Sequence, residues 1–456
     1  MSVASLRAAA DLINATLHGQ DAAFNGVSTD TRALLKGSLY VALRGPNFDG
    51  HAFLAEAKEK GAAGAMVEAV DDLPLPQIQV SDTRQALGEF GARWRQQFAL
   101  DVVGVTGSNG KTTVKQMLAA IFAECGPALH TEGNLNNDIG VPLTLLRLKE
   151  QHRAAVIEMG ANGPAEIGEL AALARPTVGV VTNAMAAHLE GFGSLEQIAR
   201  TKGEMFSALP EDGTAVINRD DAYFGFWCGL AAPRRLITFG QHADADVTLS
   251  DLTQLLDREG PSLRFTVHAN GESCAVNLPM VGRHNARNAL AAIAAALACG
   301  ISLKDCASGL AKTEMATGRL QIVDTPLDAR VINDAYNANP DSMRAAIQLL
   351  TELDEPGWLV MGDMGEIGAD ERKQHADIGR FASACGVQAL LATGPLSRAA
   401  VAAFGKGSDW YETPEALAAA LASRDPSGVN VLVKASRSMR LERVIDALRA
   451  SDREAS

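Results

Sequence analysis

Short apolar runs alternate with helical patterns over most of the chain. Runs of β-type residues, such as Val102–Val105 and Thr214–Asn218, are separated by longer stretches in which apolar residues recur at helical spacing. This alternation is typical of parallel α/β sheets, because a helix carries the chain back before the next parallel strand begins. Residues 245–279 lack helical periodicity, and we expect added antiparallel strands there.

The length of the chain, 456 residues, is too great for one ordinary core and predicts about three domains. We expect a small α/β domain over residues 1–97, with a strand within 37–43 and a helix within 53–60. A central domain with a mostly parallel sheet flanked by helices should cover residues 98–315. A third α/β domain should cover residues 316–456.

Composition limits where in the cell the protein is expected and which partners it is expected to bind. No apolar run approaches the roughly 18–20 residues of a membrane span, so we expect no membrane insertion. Asp11 interrupts the apolar N-terminal stretch, which argues against a signal peptide. The six cysteines form no C-x-x-C pair and are typical of reduced thiols in the cytoplasm. The net charge of −13 argues against nucleic acid as a partner, since phosphate backbones bind basic surfaces.

Residues 101–113 carry the most specific chemical signal. An apolar run leads into a glycine-rich turn that ends at Lys111, and two threonines follow it. This layout is typical of a phosphate-binding loop, in which backbone N–H groups surround an anion and a hydroxyl ligates Mg²⁺. The standard pattern requires glycine where this chain has Val105, while Gly107 lies inside the loop. The alternative is a strand-to-helix turn with an incidental lysine. We predict a nucleoside triphosphate site.

Two further polar clusters follow predicted strands of the central domain. Glu158 closes the apolar run at 154–157, where a carboxylate could ligate Mg²⁺ directly or through water. His188 lies in the polar segment that follows the strand at 177–182. Ligands collect at the carboxyl ends of parallel strands, which favours a shared site. A surface glutamate and a solvent-facing histidine are the alternatives.

Lys202 occupies an unusual position on a predicted helix. Ser194 and Gln197 form a capping box, and Lys202 shares the helical face of Ile198 and Met205. Burial would lower the pKa of the amine, and a neutral amine can react with CO₂ to give a carbamate, an anionic ligand for a second Mg²⁺. The alternative is an ammonium that extends to solvent along its aliphatic stem.

Two loops at helix starts contain many polar side chains. Asn285 and Asn288 share one face at the start of an alanine-rich helix and could contact an adenine edge or cap the helix. Residues 334–343 follow a strand and predict a binding loop, with Asp341 or Ser342 capping the next helix.

These segments together resemble the Mur ligase family, the ATP-dependent amide-forming enzymes of peptidoglycan synthesis. The matching segments, in one consistent order along the chain, are Gly107–Thr113, Thr131–Pro142, Glu158, the segment around His188, Lys202, His284–Asn288 and Arg319. The resemblance implies a central domain of the P-loop type and a Rossmann-like third domain.

Within the family, the first and third domains discriminate between members. Residues 27–32 and 37–43 are similar to members that add the third residue or the final dipeptide, and the dinucleotide-type turn of earlier members is absent. No Asp-Asn-Pro-Arg motif of the third-residue ligases occurs. Residues 336–343 and 361–368 instead resemble the dipeptide-adding members. The implied substrates are therefore UDP-N-acetylmuramoyl-tripeptide and D-alanyl-D-alanine, and family precedent implies a monomer.

The sequence departs from the family pattern at two places. The family tends to Lys-Gly-Ser-Arg near its end, whereas this chain has alanine at position 435 between Lys434 and Ser436. The strand before Asp334 ends in Asn333, where some members carry a second acid. The first departure weakens residues 434–437 as candidates for ligand binding.

The resemblance implies a reaction in which ATP phosphorylates the tripeptide carboxylate and the dipeptide amine then displaces phosphate. The implied catalytic residues are Lys111, Glu158, His188 and Lys202, and the implied ligands of two Mg²⁺ ions are Thr112, Glu158, His188 and carbamylated Lys202. The implied ATP contacts are Gly107, Ser108, Asn109, Gly110, Lys111, Thr112, Thr113, Asn288, Arg319 and Asp334. Arg319 and Asp334 are expected to reach ATP only when the third domain closes. The implied substrate contacts are Ser28, Thr31, Arg32, Asn134, Asn137, Tyr336, Asn337, Asn339 and Ser342.

Three alternatives stay open at this point. The third-residue-adding member of the family would share most motifs. A ligase like folylpolyglutamate synthetase would share the ATP site but would have no use for a uridine pocket. A non-enzymatic nucleotide switch would need a guanine-binding motif of the Asn-Lys-x-Asp type, and none is found.

Overall fold

Three main sheets follow one another along the chain, and helices pack on their faces. The computed structural model describes residues 4–185, 189–257, 260–314, 317–365, 367–368 and 370–454. The predicted α/β class is confirmed. Within the described ranges, no helix combines the length and the apolar character needed to cross a membrane.

The first unit is built around a five-stranded sheet. Its strands are Ala4–Ser5 (β1), Thr16–His18 (β2), Ala23–Phe24 (β3), Val27–Ser28 (β4), Leu39–Val41 (β5), Arg44–Gly45 (β6), Phe48–Asp49 (β7), Gly64–Val67 (β8) and Gln77–Gln79 (β9). Its helices are Leu6–Leu12 (α1), Leu54–Glu59 (α2) and Thr83–Arg95 (α3). The sheet order is β2-β9-β8-β5-β4, and every pair except β2 with β9 is parallel.

The central unit contains nine strands in one sheet. They are Asp101–Thr106 (β10), Ala128–His130 (β11), Ala154–Glu158 (β12), Val178–Val181 (β13), Thr214–Asn218 (β14), Arg235–Phe239 (β15), Val247–Asp257 (β16), Gly260–Ala269 (β17) and Glu272–Leu278 (β18). Its helices are Lys111–Ala123 (α4), Gly140–Leu145 (α5), Glu166–Ala174 (α6), Leu189–Phe192 (α7), Leu195–Ser207 (α8), Phe224–Ala231 (α9), Arg283–Ala298 (α10) and Leu303–Leu310 (α11).

The order of this sheet is β11-β12-β10-β13-β14-β15-β16-β17-β18. The pairs from β11 to β16 are parallel, whereas β16 to β18 are antiparallel, as predicted for residues 245–279. Strands β12 and β13 are buried throughout, because helices cover both faces of the sheet. The register pairs Val105 with Glu158, so β10 and β12 end side by side.

The third unit has a six-stranded sheet. Its strands are Gln321–Val323 (β19), Arg330–Asn333 (β20), Gly357–Met361 (β21), Ala389–Thr393 (β22), Ser408–Tyr411 (β23) and Asn430–Lys434 (β24). Its helices are Pro340–Glu352 (α12), Glu371–Ala384 (α13), Ser397–Phe404 (α14), Pro414–Ser423 (α15) and Glu442–Glu454 (α16). The order is β19-β20-β24-β21-β22-β23, with only β19 antiparallel to its neighbour. Since β20 and β24 are adjacent, Asp334 and Lys434 lie at neighbouring strand ends.

Helix α3 packs the first unit against the central one. A Cβ atom at Gly91 would lie 2.8 Å from the Cα of Pro142, so this close approach requires glycine. The Arg95 guanidinium donates to the carbonyls of Ala174 at 3.1 Å and Arg175 at 3.3 Å, which are the last acceptors of α6. The proposed division at residues 97/98 and 315/316 remains a prediction, since sheets do not fix a boundary to the residue.

Candidate active site

A cavity of about 830 Å³ lies where the central and third units face each other. Its walls come from the ends of β10 and β12, the start of α10, and the segment between β20 and α12. The predicted site residues that line it are Ser108, Asn109, Gly110, Lys111, Thr112, Thr113, Asn134, Asn137, Glu158, Asn288, Arg319, Asp334, Tyr336, Asn337, Asn339 and Ser342. Residues from two units, more than 200 positions apart in sequence, therefore share one cavity.

The phosphate-binding loop, residues 107–113, needs glycine at two positions. Gly107 has a φ of +142°, and a Cβ atom there would lie 1.9 Å from the Oγ1 of Thr182. Gly110 has a φ of +85°, and its Cβ would lie 2.4 Å from the Oδ1 of Asn288. Val105, the departure from the standard pattern, is buried within β10, so the loop begins two residues later, at Gly107.

The strand end next to the loop holds the loop backbone. The Ser108 N–H donates to the Asn183 carbonyl at 3.0 Å, and the Asn109 N–H donates to Asn183 Oδ1 at 3.0 Å. The Thr182 hydroxyl donates to the Asn109 carbonyl at 2.6 Å. Helix α4 begins at Lys111, so its first N–H groups have no acceptor within the helix and are available to an anion.

Lys111 folds back over its own loop. Its Nζ donates to the carbonyl of Gly107 at 2.7 Å and that of Ser108 at 3.3 Å. Desolvation lowers the pKa of Lys111, and the nearby carboxylate of Glu158 opposes that shift. An anion bound in the loop would oppose it further, because it favours the charged ammonium.

Glu158 is a buried carboxylate whose two oxygens have different surroundings. Its Oε1 accepts from the Thr112 hydroxyl at 3.2 Å and from Asn136 Nδ2 at 2.9 Å. Its Oε2 accepts no hydrogen bond in the described part of the chain and lies 3.5 Å from Lys115 Nζ. A buried, unsatisfied carboxylate oxygen beside a hydroxyl fits a hard cation such as Mg²⁺.

Lys202 is buried, only 2% exposed, so the alternative in which its ammonium reaches solvent is wrong. Ser194 caps α8 by accepting from the Gln197 N–H at 3.1 Å, as predicted. The Lys202 Nζ lies 5.4 Å from the ring centroid of Phe192 and forms an ion pair with none of the described carboxylates. Burial, and then the charge of Lys111, lower the pKa of Lys202 to about 7.

Replacing Lys202 by methionine should therefore stabilise the unliganded, CO₂-free protein at neutral pH. The amine ordinarily titrates near 10.5 in the unfolded chain but near 7 when folded, so the unfolded state binds more protons between these values. Wild-type stability is expected to fall as the pH drops from about 10 to 7, and Lys202→Met should flatten that slope. Urea unfolding at both pH values measures it. If the unfolding free energies of the two proteins change equally with pH, burial does not lower the pKa of Lys202 as described.

His188, the other predicted ligand of a second metal ion, lies outside the described residues. Within the described ranges, no three side chains of His, Cys, Asp or Glu cluster as a metal site. The oxygen donors that the structure does bring together are those of Thr112 and Glu158.

The start of α10 faces the loop. Its N-cap is Gly282, without a side-chain cap, so the capping alternative for the two asparagines is wrong. Asn285 Nδ2 donates to the Val281 carbonyl at 2.8 Å, and Asn288 Nδ2 donates to Asn285 Oδ1 at 3.1 Å. Desolvation lowers the pKa of His284 to about 4, so this ring is neutral at pH 7.

The third unit contacts the loop directly. Arg319 Nη2 donates to the Thr112 hydroxyl at 3.1 Å, and the guanidinium carbon lies 4.5 Å from the Tyr336 ring centroid. Asp334 is turned toward its own unit: it accepts from Lys434 Nζ at 2.6 Å and from the Leu320 N–H at 3.2 Å. Arg319 thus contacts the phosphate-binding loop, while Asp334 bonds to Lys434 and to the residue after Arg319. Contact of either residue with ATP stays a prediction.

Helix α12 is capped by Asn339, which corrects the expectation that Asp341 or Ser342 caps it. Asn339 Oδ1 accepts from the Ser342 N–H at 2.8 Å, and the Asn339 N–H donates to Ser342 Oγ at 3.0 Å. This reciprocal pair is a capping box, in which Ser342 takes the inner position.

Some predicted residues do not line the cavity. Lys202 and Gly107 are absent from its lining, and the predicted uridine contacts Ser28, Thr31 and Arg32 belong to the first unit. Arg32 pairs there with Asp30 at 2.7 Å, which holds the pKa of that carboxyl near 2.

Two supporting residues, Lys115 and Asn136, were missed at the sequence level, and both contact Glu158. Lys434, a weak candidate in the sequence, is buried against Asp334. Lys115 was detectable because it lies four residues after Lys111, on the same side of the helix. Asn136 carried no such local signal.

Comparison with protein families supports the family assignment along most of the chain. Three family models match: "Mur ligase family, catalytic domain" over residues 23–95, "Mur ligase middle domain" over 105–296, and "Mur ligase, glutamate ligase domain" over 318–437.

Individual relatives agree with these matches. The UDP-N-acetylmuramoyl-tripeptide–D-alanyl-D-alanine ligase of Escherichia coli K12 is 42% identical over 442 residues, covering 96% of each chain. A crystal structure of MurF from Acinetobacter baumannii is 34% identical, with a TM-score of 0.91, and covers 99% of this chain and 100% of its own. MurF from Thermotoga maritima, solved with ADP, is 27% identical with a TM-score of 0.84, covering 98% of this chain and 100% of its own.

Proposed function

This chain belongs to the Mur ligase family, and from that premise we propose that it is an ATP-dependent ligase that adds D-alanyl-D-alanine to UDP-N-acetylmuramoyl-tripeptide. The observation that carries the proposal is the shared cavity, in which the phosphate-binding loop, Glu158 and Arg319 meet. Relatives and neighbours of that activity match over nearly the whole length of this chain. The product is a peptidoglycan precursor.

The first step joins two anions. A carboxylate oxygen of the tripeptide attacks the γ-phosphorus of ATP, the bond to the bridging oxygen breaks, and ADP leaves with that electron pair. The product is an acyl phosphate. Positive groups must offset the repulsion between carboxylate and phosphate, and Lys111, Arg319 and the first N–H groups of α4 supply them.

The second step forms the amide. The neutral amine of the dipeptide attacks the acyl carbon, a tetrahedral intermediate forms, and it expels inorganic phosphate while the nitrogen loses a proton. Arg319 and Asn339 of the third unit both bond to the loop, so this unit is placed to cover the cavity and exclude water during the reaction. Water exclusion protects the acyl phosphate from hydrolysis.

The donor set fits Mg²⁺. Thr112 and Glu158 Oε2 would hold one ion, and His188 with carbamylated Lys202 would hold a second. When bound, the ions supply charge neutralisation for the transferring phosphoryl group. The carbamate forms when the neutral Lys202 amine attacks CO₂ and loses a proton, and burial favours that neutral amine.

The remaining predicted contacts are assigned by position. Asn288, next to Gly110, would contact the adenine. Asn134, Asn137, Tyr336, Asn337 and Ser342 line the cavity and would face the peptide substrates or the ribose. Ser28, Thr31 and Arg32 of the first unit would hold the uridine end. We expect a cytoplasmic monomer, and the six free thiols are consistent with a reducing compartment.

A substrate panel tests the proposal against its alternatives. Purified protein with ATP and Mg²⁺ receives UDP-tripeptide with D-alanyl-D-alanine, UDP-dipeptide with a diamino acid, or a folate with glutamate. Mass spectrometry of the product and phosphate release are measured. Product in the first mixture alone is expected. Product only in the second or third would identify the alternative ligase, and none in any mixture would favour a nucleotide switch.

A further inference from the structure

One amide side chain connects the third unit to the phosphate-binding loop. Asn339 Nδ2 donates to Asn109 Oδ1 at 3.0 Å, while Asn339 Oδ1 accepts from the Ser342 N–H at 2.8 Å. Asn339 is buried, 7% exposed. The cap fixes the orientation of the amide, and in this orientation its NH₂ group is directed at the loop.

Asn109, which supplies the acceptor on the loop, is held by hydrogen bonds of its own. The Asn109 carbonyl accepts from Thr182 Oγ1 at 2.6 Å and from Asn183 Nδ2 at 3.1 Å. The side-chain Nδ2 of Asn109 donates to the sulfur of Met185 at 3.4 Å. The carbonyl and Nδ2 of Asn109 therefore bond within the central unit, and its Oδ1 is the atom that bonds to the third unit.

Capping alone does not require asparagine at this position. Serine, threonine and aspartate cap helices about as well, and Thr413 caps α15 ahead of Pro414 just as Asn339 precedes Pro340. Of these residues, only asparagine carries a donor on an atom separate from its capping oxygen, because the O–H of serine or threonine belongs to that oxygen and aspartate has no N–H. The choice of asparagine therefore fits a second role beyond the cap.

We infer that Asn339 is a positioning residue that couples closure of the third unit to the conformation of the phosphate-binding loop. Closure places the first turn of α12 against the cavity and at the same time fixes Asn109. By reciprocity, whatever orders the loop, such as bound ATP, also favours closure. The inference rests on the proposed function where turnover is the measurement, but nucleotide binding tests it independently.

The test uses a variant that keeps the cap. Asn339→Ser retains a capping oxygen but cannot reach the loop, and Asn109→Ala removes the acceptor. Loss of one neutral hydrogen bond predicts a fall of about 5- to 10-fold in kcat/KM for ATP in either variant, with an unchanged thermal midpoint. The double variant should be no worse than the single ones. Thr413→Ser, the matched cap of α15, should leave activity unchanged.

Calorimetry measures the affinity of the same three variants for a non-hydrolysable ATP analogue. We expect a similar loss of affinity in each single variant and no further loss in the double variant. Multiplicative losses in the double variant, or wild-type kinetics in Asn339→Ser, would overturn the inference. Failure of the wild-type protein to ligate the dipeptide, with the binding cycle intact, would instead overturn the proposed function and leave the coupling standing.

Discussion

Replacing Lys202 by alanine is expected to lower the ligation rate by about 10²- to 10³-fold, since a metal ion supplies several kcal/mol of charge stabilisation. The side chain is 2% exposed and forms no ion pair with a described carboxylate, although the charges of Glu166 and Glu204 favour its ammonium from further away. A buried cation without a counter-ion is costly, and conversion to a carbamate removes that cost and creates a metal ligand. Initial rates with UDP-tripeptide, dipeptide, ATP and Mg²⁺ measure the loss.

Dependence on CO₂ separates the carbamate from a purely structural role. Wild-type enzyme freed of CO₂ should lose activity and regain it with bicarbonate, and a carbon-13 NMR signal of the carbamate should appear with labelled bicarbonate. A short carboxylic acid should partly restore Lys202→Ala by filling the vacated space. Lys312→Ala, a surface lysine paired with Glu124, is the control and should behave as wild type. Full activity of Lys202→Ala without CO₂ would contradict the carbamate.

Replacing Lys111 by methionine is expected to lower kcat/KM for ATP by about 10²- to 10³-fold, the effect of losing one preorganised donor to a transferring phosphoryl group. In the structure its Nζ lies against the carbonyls of Gly107 and Ser108, within reach of an anion in the loop. The isosteric side chain removes a desolvated charge, so the thermal midpoint should not fall.

Measurement of kcat and KM for ATP, with Lys312→Met as the exposed control, tests this expectation. An unchanged kcat/KM in a folded Lys111→Met protein would show that the lysine supports the loop instead of the phosphates. Lys111→Arg should not rescue activity, because a guanidinium is larger than the ammonium that Lys111 packs against the Gly107 and Ser108 carbonyls.

Local patterns predicted much of the site because parallel strands end at a common edge. Glu158 ends β12 and the phosphate-binding loop follows the neighbouring β10, so the order of the elements was enough to predict that they lie close together. The burial of Lys202 followed from its helical face, since its apolar neighbours Ile198 and Met205 are fully buried.

Other features depend on contacts that no local pattern contains. The bond between Asn339 and Asn109 joins residues 230 positions apart and exists only when two units meet. The cap of α12 was misassigned because several polar residues compete near its start. Pro340 was the overlooked signal: proline favours the first helical position, which makes the residue before it the cap.

Oxygen-isotope transfer shows whether the enzyme activates the tripeptide carboxylate by phosphorylation. UDP-tripeptide labelled with ¹⁸O in its terminal carboxylate is incubated with enzyme, ATP, Mg²⁺ and dipeptide, and the released phosphate is analysed by mass spectrometry. We expect one carboxylate oxygen in each phosphate, because that oxygen forms the new bond to phosphorus and leaves with it. Phosphate without the label would show that water hydrolyses ATP and would contradict phosphorylation of the carboxylate.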